Sequence, residues 1–530
     1  MSVNGSGAGQ RSELVSSLAL VTSLPEMSPN PAAADPAIAT GPPGCAAVAA
    51  GSRDTALAAV AVLRAGGNAV DAAIGGMLAA SVSELVFTSL GGGGFLNLQL
   101  PDGTVKVLDF FVNAPGLGSK EPGAADFTPV VVEFLGATQE FHVGPGSVAV
   151  PGALAGYLTA HQEYGRAPLA TVTAPATVLA RRGAVVEPVQ AEVMDLVREI
   201  LSLTPESHEL IRTADGDAAR GDTVDNPALA DFLHLVGEGV VTSINSPAYA
   251  SPLLDLMEHT AGHVTAEDLR SYTVAERDPL VVERMGARIA LNSPPAFGGA
   301  IVAATLAQLA PMDESPHSWV RAATALNDAT EQIRRANEAA GIGQVSKGTT
   351  HISVVDGDGM VASMTTSNGS GSGIVIPGTG IYLNNMLGEE DLHPGGFHAL
   401  PAGSRLGSMM NPTIVTHPDG AVTGLGSGGS ERIRSAMLAA LLRLIDLNRD
   451  TVTAVGAPRI HPSPGDVQLE PDWPAETVAA LADVAPVNNW TQRNLFFGGI
   501  HAVTRHADGS VTAVGDSRRD GAVAVVPPSE

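Results

Sequence analysis

The sequence predicts an α+β or layered α/β protein with a seam at Gly348–Thr349. Residues 150–345 show mainly helical patterns separated by Pro and Gly, whereas the residues after Gly348 show strand patterns and loops. Hydrophobic residues form 44% of the 530-residue chain, which is enough for a sizeable core, and aromatic residues form only 4%. We therefore expect a core of Ala, Val, Leu and Ile with many tight turns.

The N-terminal stretch, residues 1–42, is rich in Gly, Ser, Pro and Ala, and we predict that it forms a mobile extension. Its apolar segment, residues 14–24, lacks a strongly basic start and a small-residue cleavage site, so a secretory signal is not indicated. No apolar run reaches the length of about 18 residues that a membrane span needs. We expect a cytoplasmic protein with no membrane partner.

Helices and a hairpin are predicted in the remainder of the first half. Asp54 is the expected N-cap of a helix that breaks at residues 65–68 and resumes from Ala69 to Ala80. Four consecutive glycines follow, and the clearest patterns after them are strands 95–100 and 105–111 and helices 152–164, 175–182 and 319–340.

The second half predicts a hairpin and one long amphipathic helix. Alternating residues from Thr349 lead through a turn at residues 356–359 into a second strand at residues 360–365. A loop rich in Ser, Asn and Gly follows at residues 367–373, where the backbone is able to approach a ligand closely. The helix is predicted over residues 431–447.

Charge and cysteine content exclude several classes of function. The net charge is −26, and lysine occurs only at positions 106, 120 and 347, which argues against a nucleic-acid partner or a polybasic membrane patch. The single cysteine, Cys45, excludes an internal disulfide or a cysteine metal cluster. The histidines show no metal-ligand spacing, so we predict neither a metal nor a cofactor.

Thr349 is the candidate nucleophile. It follows a glycine at the start of a predicted strand, and cleavage there would give one residue both an attacking hydroxyl and a free α-amine. The reference pKa of that amine, about 7.7–8.0, suits a base near neutral pH. Strand alternation places Thr349, His351 and Ser353 on one face. The alternative is a hairpin strand that merely begins with threonines.

Two further segments are candidates for contact with a reacting group. Residues 424–430 formally satisfy the dinucleotide pattern G-x-G-x-x-G, but no acidic residue at the end of a following strand supports that interpretation. We expect instead that the N–H groups of Gly428 and Gly429 bind a developing oxyanion; a flexible turn into the helix is the alternative. The amides and acids that include Asn385 and Glu389 either bind a substrate ammonium group or form a solvated loop.

In combination, these features resemble the γ-glutamyltransferases, a family of N-terminal-nucleophile hydrolases, over nearly the whole chain after residue 45. The resemblance rests on segments that occur in the same order in that family: Gly66–Ala73, Leu90–Phe95, Val150–Gly152, Leu269–Pro279, Thr349–Asp356, Gly373–Val375, Gly380–Asn385, Ser408–Val415 and Gly428–Ser430.

The resemblance implies a four-layer αββα sandwich formed jointly by two autocleavage products, a large chain of residues 43–348 and a small chain of residues 349–530. It implies that the Thr349 hydroxyl attacks the Gly348 carbonyl and, once freed, the acyl group of a small-molecule substrate. Ser367 aligns with a threonine that supports the nucleophile in the family. The implied substrate contacts are Asn368, Asn385, Glu389 and Ser408.

The same resemblance shows where the chain departs from the family. The arginine that grips the substrate α-carboxylate in the family is replaced here by Phe111. The loop after Thr366 is two residues shorter, and Gly407 replaces the first serine of the pair to which Ser408 belongs. Because the cleavage residues are kept and the recognition residues are changed, a substrate other than ordinary glutathione is implied.

Three functions agree with this pattern. The first is a self-processing hydrolase or acyltransferase that acts on a γ-glutamyl-like or other small amide. The second is hydrolysis of a C–C bond in a 4-alkylproline precursor, as cytoplasmic relatives perform in actinobacterial antibiotic pathways. The third is an inactive binding or scaffold protein, against which the retained Gly348 and Thr349 argue. The first two functions, which are enzymatic, imply that the two fragments always stay paired. Whether that pair forms a homo-oligomer is left open.

Overall fold

The computed structural model describes residues 35–119, 127–134, 137–339, 348–388, 400–463 and 465–528. Two seven-stranded antiparallel sheets, packed face to face, form the centre of this part of the chain. Their strands, in chain order, are β1 Ala37–Gly41, β2 Ala46–Ala50, β3 Gly93–Gln99, β4 Val105–Phe110, β5 Ala275–Arg277, β6 Leu280–Arg284, β7 Ala287–Leu291, β8 Thr349–Val355, β9 Val361–Ser367, β10 Thr413–Thr416, β11 Val422–Gly428, β12 Gly499–Arg505, β13 Val511–Gly515 and β14 Ala522–Val526.

Each sheet combines strands from both sides of Gly348–Thr349. The first sheet has the order β5-β4-β3-β9-β8-β2-β14, and the second has the order β1-β13-β12-β11-β10-β7-β6. In the first sheet, β8, β9 and β14 follow the junction and the other strands precede it. Two fragments cut at this point would therefore share both sheets and the core between them, and neither fragment would hold a complete sheet.

Helices cover the outer faces of the two sheets. In chain order they are α1 Arg53–Arg64, α2 Ala69–Ser83, α3 Ala153–Tyr164, α4 Leu169–Arg182, α5 Pro188–Leu196, α6 Arg198–Leu201, α7 Pro205–Glu209, α8 Pro227–Gly237, α9 Pro247–His259, α10 Ala266–Ser271, α11 Phe297–Gln308, α12 Pro316–Ala339, α13 Arg432–Leu441, α14 Thr451–Gly456 and α15 Ala475–Ala482. Helices α1 and α2 pack on the first sheet, and α11, α13 and α14 pack on the second. The predicted four-layer αββα arrangement is confirmed.

Shorter strands and turns lie outside the two sheets. They pair as Thr128–Phe134 with Ala137–Val143, Ala184–Val185 with Thr223–Val224, Arg212–Thr213 with Gly216–Asp217, Val375–Ile376 with Ile381–Tyr382, and Ile460–Ser463 with Asp466–Leu469 and Val487–Asn489. Short 3-10 turns occur at Pro145–Ser147, Leu495–Phe497 and Ser517–Arg519.

The sequence of helix α2 determines where this helix begins and why it is buried against the first sheet. The Asn68 side chain accepts the Asp71 N–H at 3.0 Å, and the Asp71 carboxylate accepts the Asn68 N–H at 3.1 Å, so the helix begins with a capping box. All its residues are buried, as expected for a helix that is apolar on every side. Because α2 ends at Ser83, the next residue, Glu84, comes to lie beside β8.

Three predicted helix boundaries are wrong for local reasons. Ser52, not Asp54, caps α1, because its side chain accepts the Thr55 N–H at 3.1 Å. The helix predicted to start at Pro175 starts at Leu169. Proline is common at the first position of a helix, which favours a start at Pro175, but here it lies inside the helix. The helix predicted over residues 431–447 is α-helical only in α13 and continues as a π-helical turn over Leu442–Asp446.

The predicted mobile extension over residues 1–42 is wrong for Ala37–Gly41. These residues form β1, which pairs with β13 at the edge of the second sheet, from Ala37 opposite Gly515 to Gly41 opposite Val511. Backbone pairing with an exposed sheet edge needs little side-chain pattern, so composition alone did not indicate this strand. Residues 1–34 of the predicted extension lie outside the described residues.

Candidate active site

The Gly348–Thr349 junction is buried at the start of β8, in the interior of the first sheet. Thr349 lies opposite Ser367 of β9. The Ser367 hydroxyl donates a hydrogen bond to the Gly348 carbonyl oxygen, and it accepts the Gly369 N–H at 3.1 Å. The structure therefore brings Ser367 to the carbonyl group of the predicted scissile bond, and the Gly369 N–H fixes the orientation of its hydroxyl.

Backbone crowding explains the glycine that precedes Thr349. A Cβ atom at position 348 would collide with the Gly369 carbonyl oxygen and would lie 2.6 Å from the Val86 carbonyl oxygen. Both are backbone atoms, so neither is able to rotate away as a side chain would. Only glycine fits at position 348 without a shift of the surrounding backbone.

Gly428 and Gly429 lie on the opposite side of Thr349, where β11 ends. Gly428 pairs with Gly499, and a Cβ atom on Gly428 would collide with the Thr349 carbonyl oxygen. Gly429 has a φ of 122° and Ser430 a φ of 56°, so the chain turns sharply here into α13. The glycine-rich turn is thus beside Thr349; that its N–H groups bind an oxyanion stays a prediction.

The alternation predicted for β8 is confirmed in the packing of its two faces. Ile352 and Val354 face the helices of the first sheet, while Ser353 donates to the His501 carbonyl oxygen at 3.1 Å on the side of the second sheet. The His351 ring lies on the same side, where it is hydrogen-bonded to Ser353 Oγ at 2.8 Å. Burial lowers the pKa of His351 well below its ordinary value and that of His501 to about 4. Both rings are therefore neutral structural groups near neutral pH.

Arg519 contacts Thr349, the candidate nucleophile, and was not predicted from the sequence. Its Nη1 donates to the Thr349 carbonyl oxygen at 3.3 Å, and its guanidinium carbon lies 5.2 Å from the centre of the Phe87 ring. Burial, together with the nearby Arg432, lowers the pKa of Arg519 to about 10. Arg519 therefore places a positive charge at the open edge of β8, next to Thr349.

Three carboxyl groups line the cavity that Arg519 and Thr349 also line: Glu84, Glu187 and Asp520. Glu84 accepts hydrogen bonds from the Thr350 hydroxyl and, at 2.6 Å, from the Thr55 hydroxyl. Burial raises the pKa of Glu84, that of Glu187 to about 9 and that of Asp520 to about 6. Sequence reasoning missed this cluster, because its members come from distant segments and share no spacing.

Asn368 and Asn385 are brought together next to Ser367. The Asn385 N–H donates to the Asn368 carbonyl oxygen at 3.2 Å, and both side chains are fully buried. Among the described residues, Asn368 Oδ1 and Asn385 Nδ2 have no hydrogen-bond partner. A buried amide atom without a partner is costly, so these two atoms are suited to bind a ligand. The neighbouring Asn384 is different, since its Nδ2 already binds the Gly91 and Ala149 carbonyl oxygens.

Phe111 and Ser408 are part of the packed core near this site. The Phe111 ring stacks on Phe95, with 5.6 Å between the ring centres, and is fully buried. Ser408 Oγ accepts the Met410 N–H at 3.2 Å. Contact between these two side chains and a substrate stays a prediction, and Glu389 lies outside the described residues.

A second arginine, Arg405, was also missed by sequence reasoning. Its guanidinium donates to the Phe111 carbonyl oxygen, to the Tyr272 hydroxyl at 2.7 Å and to the Thr273 carbonyl oxygen at 2.6 Å. Its Nε lies 3.5 Å from an oxygen of Asp109, which also pairs with Arg277 at 2.8 Å. Arg405 is thus a cation beside Phe111 that already donates three hydrogen bonds and forms an ion pair within the protein.

The described ranges contain neither a metal-binding cluster nor a membrane-spanning helix. In that part of the chain, no group of three or more His, Cys, Asp or Glu side chains is placed to hold a metal ion. None of the described helices combines the length and apolar character that crossing a membrane requires.

Comparisons with known proteins agree with the geometry. The family model of gamma-glutamyltranspeptidase matches residues 55–343 and 318–526. Similar relatives include the acylase ACY 1 proenzyme of Pseudomonas sp. (strain V22), which is 29% identical over 87% of this chain and 90% of its own. The glutathione hydrolase proenzyme of Bacillus subtilis (strain 168) is 26% identical over 87% of this chain and 88% of its own.

Solved structures share the fold over nearly the whole chain. Cephalosporin acylase from Bacillus halodurans superposes with a TM-score of 0.77 at 24% identity, covering 95% of this chain and 99% of that one. A structure of LmbA2991 gives a TM-score of 0.75 at 21% identity, covering 92% and 98%. These likenesses establish the architecture.

Proposed function

The chain belongs to the gamma-glutamyltranspeptidase family of N-terminal-nucleophile hydrolases, and on that premise we propose that it cleaves itself at Gly348–Thr349 and then uses Thr349 as its nucleophile. The observation that carries this proposal is the junction itself. Gly348 is fixed by backbone crowding, and its carbonyl oxygen accepts the Ser367 hydroxyl. The relatives named as proenzymes agree with processing into two chains.

Self-cleavage is proposed to begin with attack by Thr349 Oγ on the Gly348 carbonyl carbon. The new O–C bond forms as the C–N bond to Thr349 breaks, and the hydroxyl proton goes to the departing nitrogen. The Ser367 hydroxyl stabilises the negative charge that develops on the Gly348 oxygen. Water then hydrolyses the resulting ester, which leaves Gly348 with a carboxylate and Thr349 with a free hydroxyl and amine.

Substrate acylation is proposed to reuse the same groups. The Thr349 amine takes the proton of the Thr349 hydroxyl as that hydroxyl attacks the substrate carbonyl. The N–H groups of Gly428 and Gly429 bind the oxyanion, and Asn368 and Asn385 supply the unpaired amide atoms that bind the acyl group. Water or an amine then removes the acyl group from Thr349.

The substrate is proposed to be a small amide whose acyl group lacks a glutamyl α-carboxylate. A carboxylate at the Phe111 position would meet an aromatic ring instead of an arginine, and the nearby Arg405 is engaged by Asp109, Tyr272 and two backbone carbonyls. A desolvated carboxylate without a cation is bound poorly. The acylase named among the relatives shows that family members are not confined to glutathione hydrolases.

Hydrolysis of a C–C bond in a 4-alkylproline precursor is a second candidate. It would use the same nucleophile, and the apolar Phe95–Phe111 stack favours it because an alkyl substituent needs an apolar wall. In either case the two fragments stay paired, since both sheets contain strands from each of them.

A panel of acyl p-nitroanilides tests the substrate proposal. We expect the processed protein to release p-nitroaniline from compounds with apolar or amide-bearing acyl groups faster than from γ-glutamyl-p-nitroanilide. A rapidly quenched sample should carry the acyl group on the fragment that begins at Thr349, and uncleaved Thr349→Ala protein should release nothing. Efficient turnover of glutathione by the wild type would contradict the proposed acyl class.

A further inference from the structure

Strand β8 has two different edges at Thr349. One edge is paired with β9 along its whole length, from Thr349 opposite Ser367. The other edge is paired with β2 only from Ile352, which lies opposite Ala50, so β2 does not cover the strand at Thr349. At this open edge lies the cavity that Thr349 lines, which we call the acidic cavity and define by Glu84, Glu187, Gln190, Arg519 and Asp520.

The backbone directions at the junction determine where the nitrogen of Thr349 points. The Gly348 carbonyl points toward β9, because its oxygen accepts the Ser367 hydroxyl. In a trans peptide the N–H lies opposite the preceding carbonyl, so the Thr349 N–H points away from β9. The Thr349 carbonyl points the same way, as its hydrogen bond from Arg519 shows. The nitrogen that becomes the α-amine is therefore directed toward the edge that carries the acidic cavity.

The cavity holds hydrogen-bond acceptors that the described residues leave without a partner. Gln190 is 5% exposed, and its Oε1 atom has no hydrogen-bond partner among them. Glu187 Oε2 is also unpartnered, while Glu187 Oε1 accepts the Arg53 N–H at 3.2 Å. Buried acceptors of this kind indicate a missing donor.

The charges around the cavity favour a positively charged donor. Glu84, Glu187 and Asp520 line it, and Asp54 adds a fourth carboxyl group near Glu187. Arg519 is the guanidinium group that lines it, and the two lining histidines, His351 and His501, are neutral because burial lowers the pKa of each. Burial raises the pKa of Glu187, and an added ammonium group would favour its charged form.

We propose that the acidic cavity binds the α-amine of Thr349 after cleavage, with Glu187 Oε2 and Gln190 Oε1 accepting its hydrogen bonds directly or through one water molecule. This inference rests on the proposed function, because the amine exists only once the Gly348–Thr349 bond is cut. Glu187 is a positioning residue: it orients the amine whose lone pair takes the proton of the Thr349 hydroxyl. In acylation the amine holds that proton and passes it to the leaving group.

The composition of the chain makes this amine measurable without a substrate. Residues 349–530 contain no lysine, so the α-amine of Thr349 is the amine of the smaller fragment. Potassium cyanate carbamoylates only neutral amines, and intact mass of that fragment counts the modification. The carbamoylation rate between pH 5 and pH 10 therefore gives the pKa of the Thr349 amine in the folded, processed protein.

Glu187→Gln is the principal variant, and Asp520→Asn is the second. Asp520 has a φ of 48°, which asparagine tolerates. Removing a carboxylate from beside an ammonium group destabilises the charged form, so the midpoint of carbamoylation should move to lower pH by about 1 unit in each variant. Glu192→Gln is the matched control: Glu192 lies in helix α5, which Glu187 directly precedes, but outside the cavity lining, so this variant should leave the midpoint unchanged.

The outcomes separate the inference from the function on which it rests. Normal cleavage with a lower midpoint in Glu187→Gln or Asp520→Asn supports the inference. Normal cleavage with wild-type midpoints in both variants overturns it while leaving Thr349 as the nucleophile. If Glu187→Gln does not fold, Asp520→Asn decides. If wild-type protein yields no fragment beginning at Thr349, the proposed function fails and the inference fails with it.

Discussion

Two regions of the sandwich, the cleavage junction and the recognition wall, lie close together but differ in the atoms that form them: backbone atoms in the first and side chains in the second. The cleavage junction is formed by Gly348, Thr349, Ser367 and Gly428, and backbone atoms leave no room for a Cβ at its two glycines. What we call the recognition wall consists of Phe95, Phe111, Arg405 and Ser408. The Phe95 and Phe111 rings stack on each other, Arg405 donates to the Phe111 carbonyl oxygen, and the Ser408 hydroxyl accepts the Met410 N–H. A site that is crowded by backbone atoms tolerates few substitutions. A site that is formed by side chains is able to acquire a different ligand when those side chains are replaced. Under the proposed function, this difference would account for cleavage chemistry that is retained while recognition diverges.

Phe111→Ala should have the largest effect on stability and little effect on cleavage. The ring is fully buried and stacked on Phe95, so its loss should lower the free energy of unfolding by about 3–5 kcal/mol. Urea denaturation should be measured in the Thr349→Ala background, where the chain stays in one piece. Loss of self-cleavage in folded Phe111→Ala protein would show that the recognition wall contributes to cleavage, which contradicts the distinction between the two regions.

Ser367→Ala should slow self-cleavage by about 100-fold, because one donor to the developing oxyanion is lost. Ser363→Ala is the matched control: Ser363 lies on the same strand, and its hydroxyl donates to the Leu425 carbonyl oxygen at 3.0 Å instead. Fragment formation is followed on denaturing gels over time. Equal rates in the two variants would remove Ser367 from the mechanism.

The adjacent asparagines should respond differently to the same substitution. Asn384→Ala removes four hydrogen bonds, two that Nδ2 donates to backbone carbonyls and two that Oδ1 accepts from backbone N–H groups, and should cost about 2–3 kcal/mol of stability. Asn385→Ala removes an Nδ2 atom that has no partner in the described structure and one bond from the Ser370 N–H, so about 1 kcal/mol is expected, with a larger loss of acyl-substrate turnover. Equal losses of stability would indicate that Asn385 is a structural residue.

The smallest expected effect concerns the neutral histidine beneath the junction. Burial lowers the pKa of His501 to about 4, below the unfolded value of about 6.5, so the unfolded chain binds the extra proton first as pH falls. The stability linked to His501 is therefore complete above about pH 6.5 and is lost as pH falls toward 4. The decrease in Tm between pH 7.5 and pH 5 should be smaller in His501→Gln than in wild type; identical decreases would refute this assignment.

The sequence predicted the parts of the site that are contiguous along the chain. The step from Gly348 to Thr349, the alternation of β8 and the glycine-rich turn at Gly428 are local patterns, and the structure brings them together. The αββα layering followed from the family resemblance, and it is confirmed.

The remainder depends on contacts between distant segments. Arg519 reaches Thr349 from 170 positions away, and Glu84 reaches Thr350 from 266 positions away. No spacing rule connects such residues before the fold is known. The wrong prediction of Asp54 as the N-cap has another cause. Serine and aspartate are both favourable N-cap residues, so the choice between Ser52 and Asp54 depends on where the helix begins, and it begins at Arg53.

The most direct test of the central claim is the intact mass of purified wild-type protein beside Thr349→Ala. We predict two chains in the wild type, the smaller beginning at Thr349 and ending at Glu530, and one uncut chain in the variant. A wild type that stays in one piece after prolonged incubation, or a Thr349→Ala protein that is cut at the same bond, would contradict the assignment of Thr349 as the nucleophile.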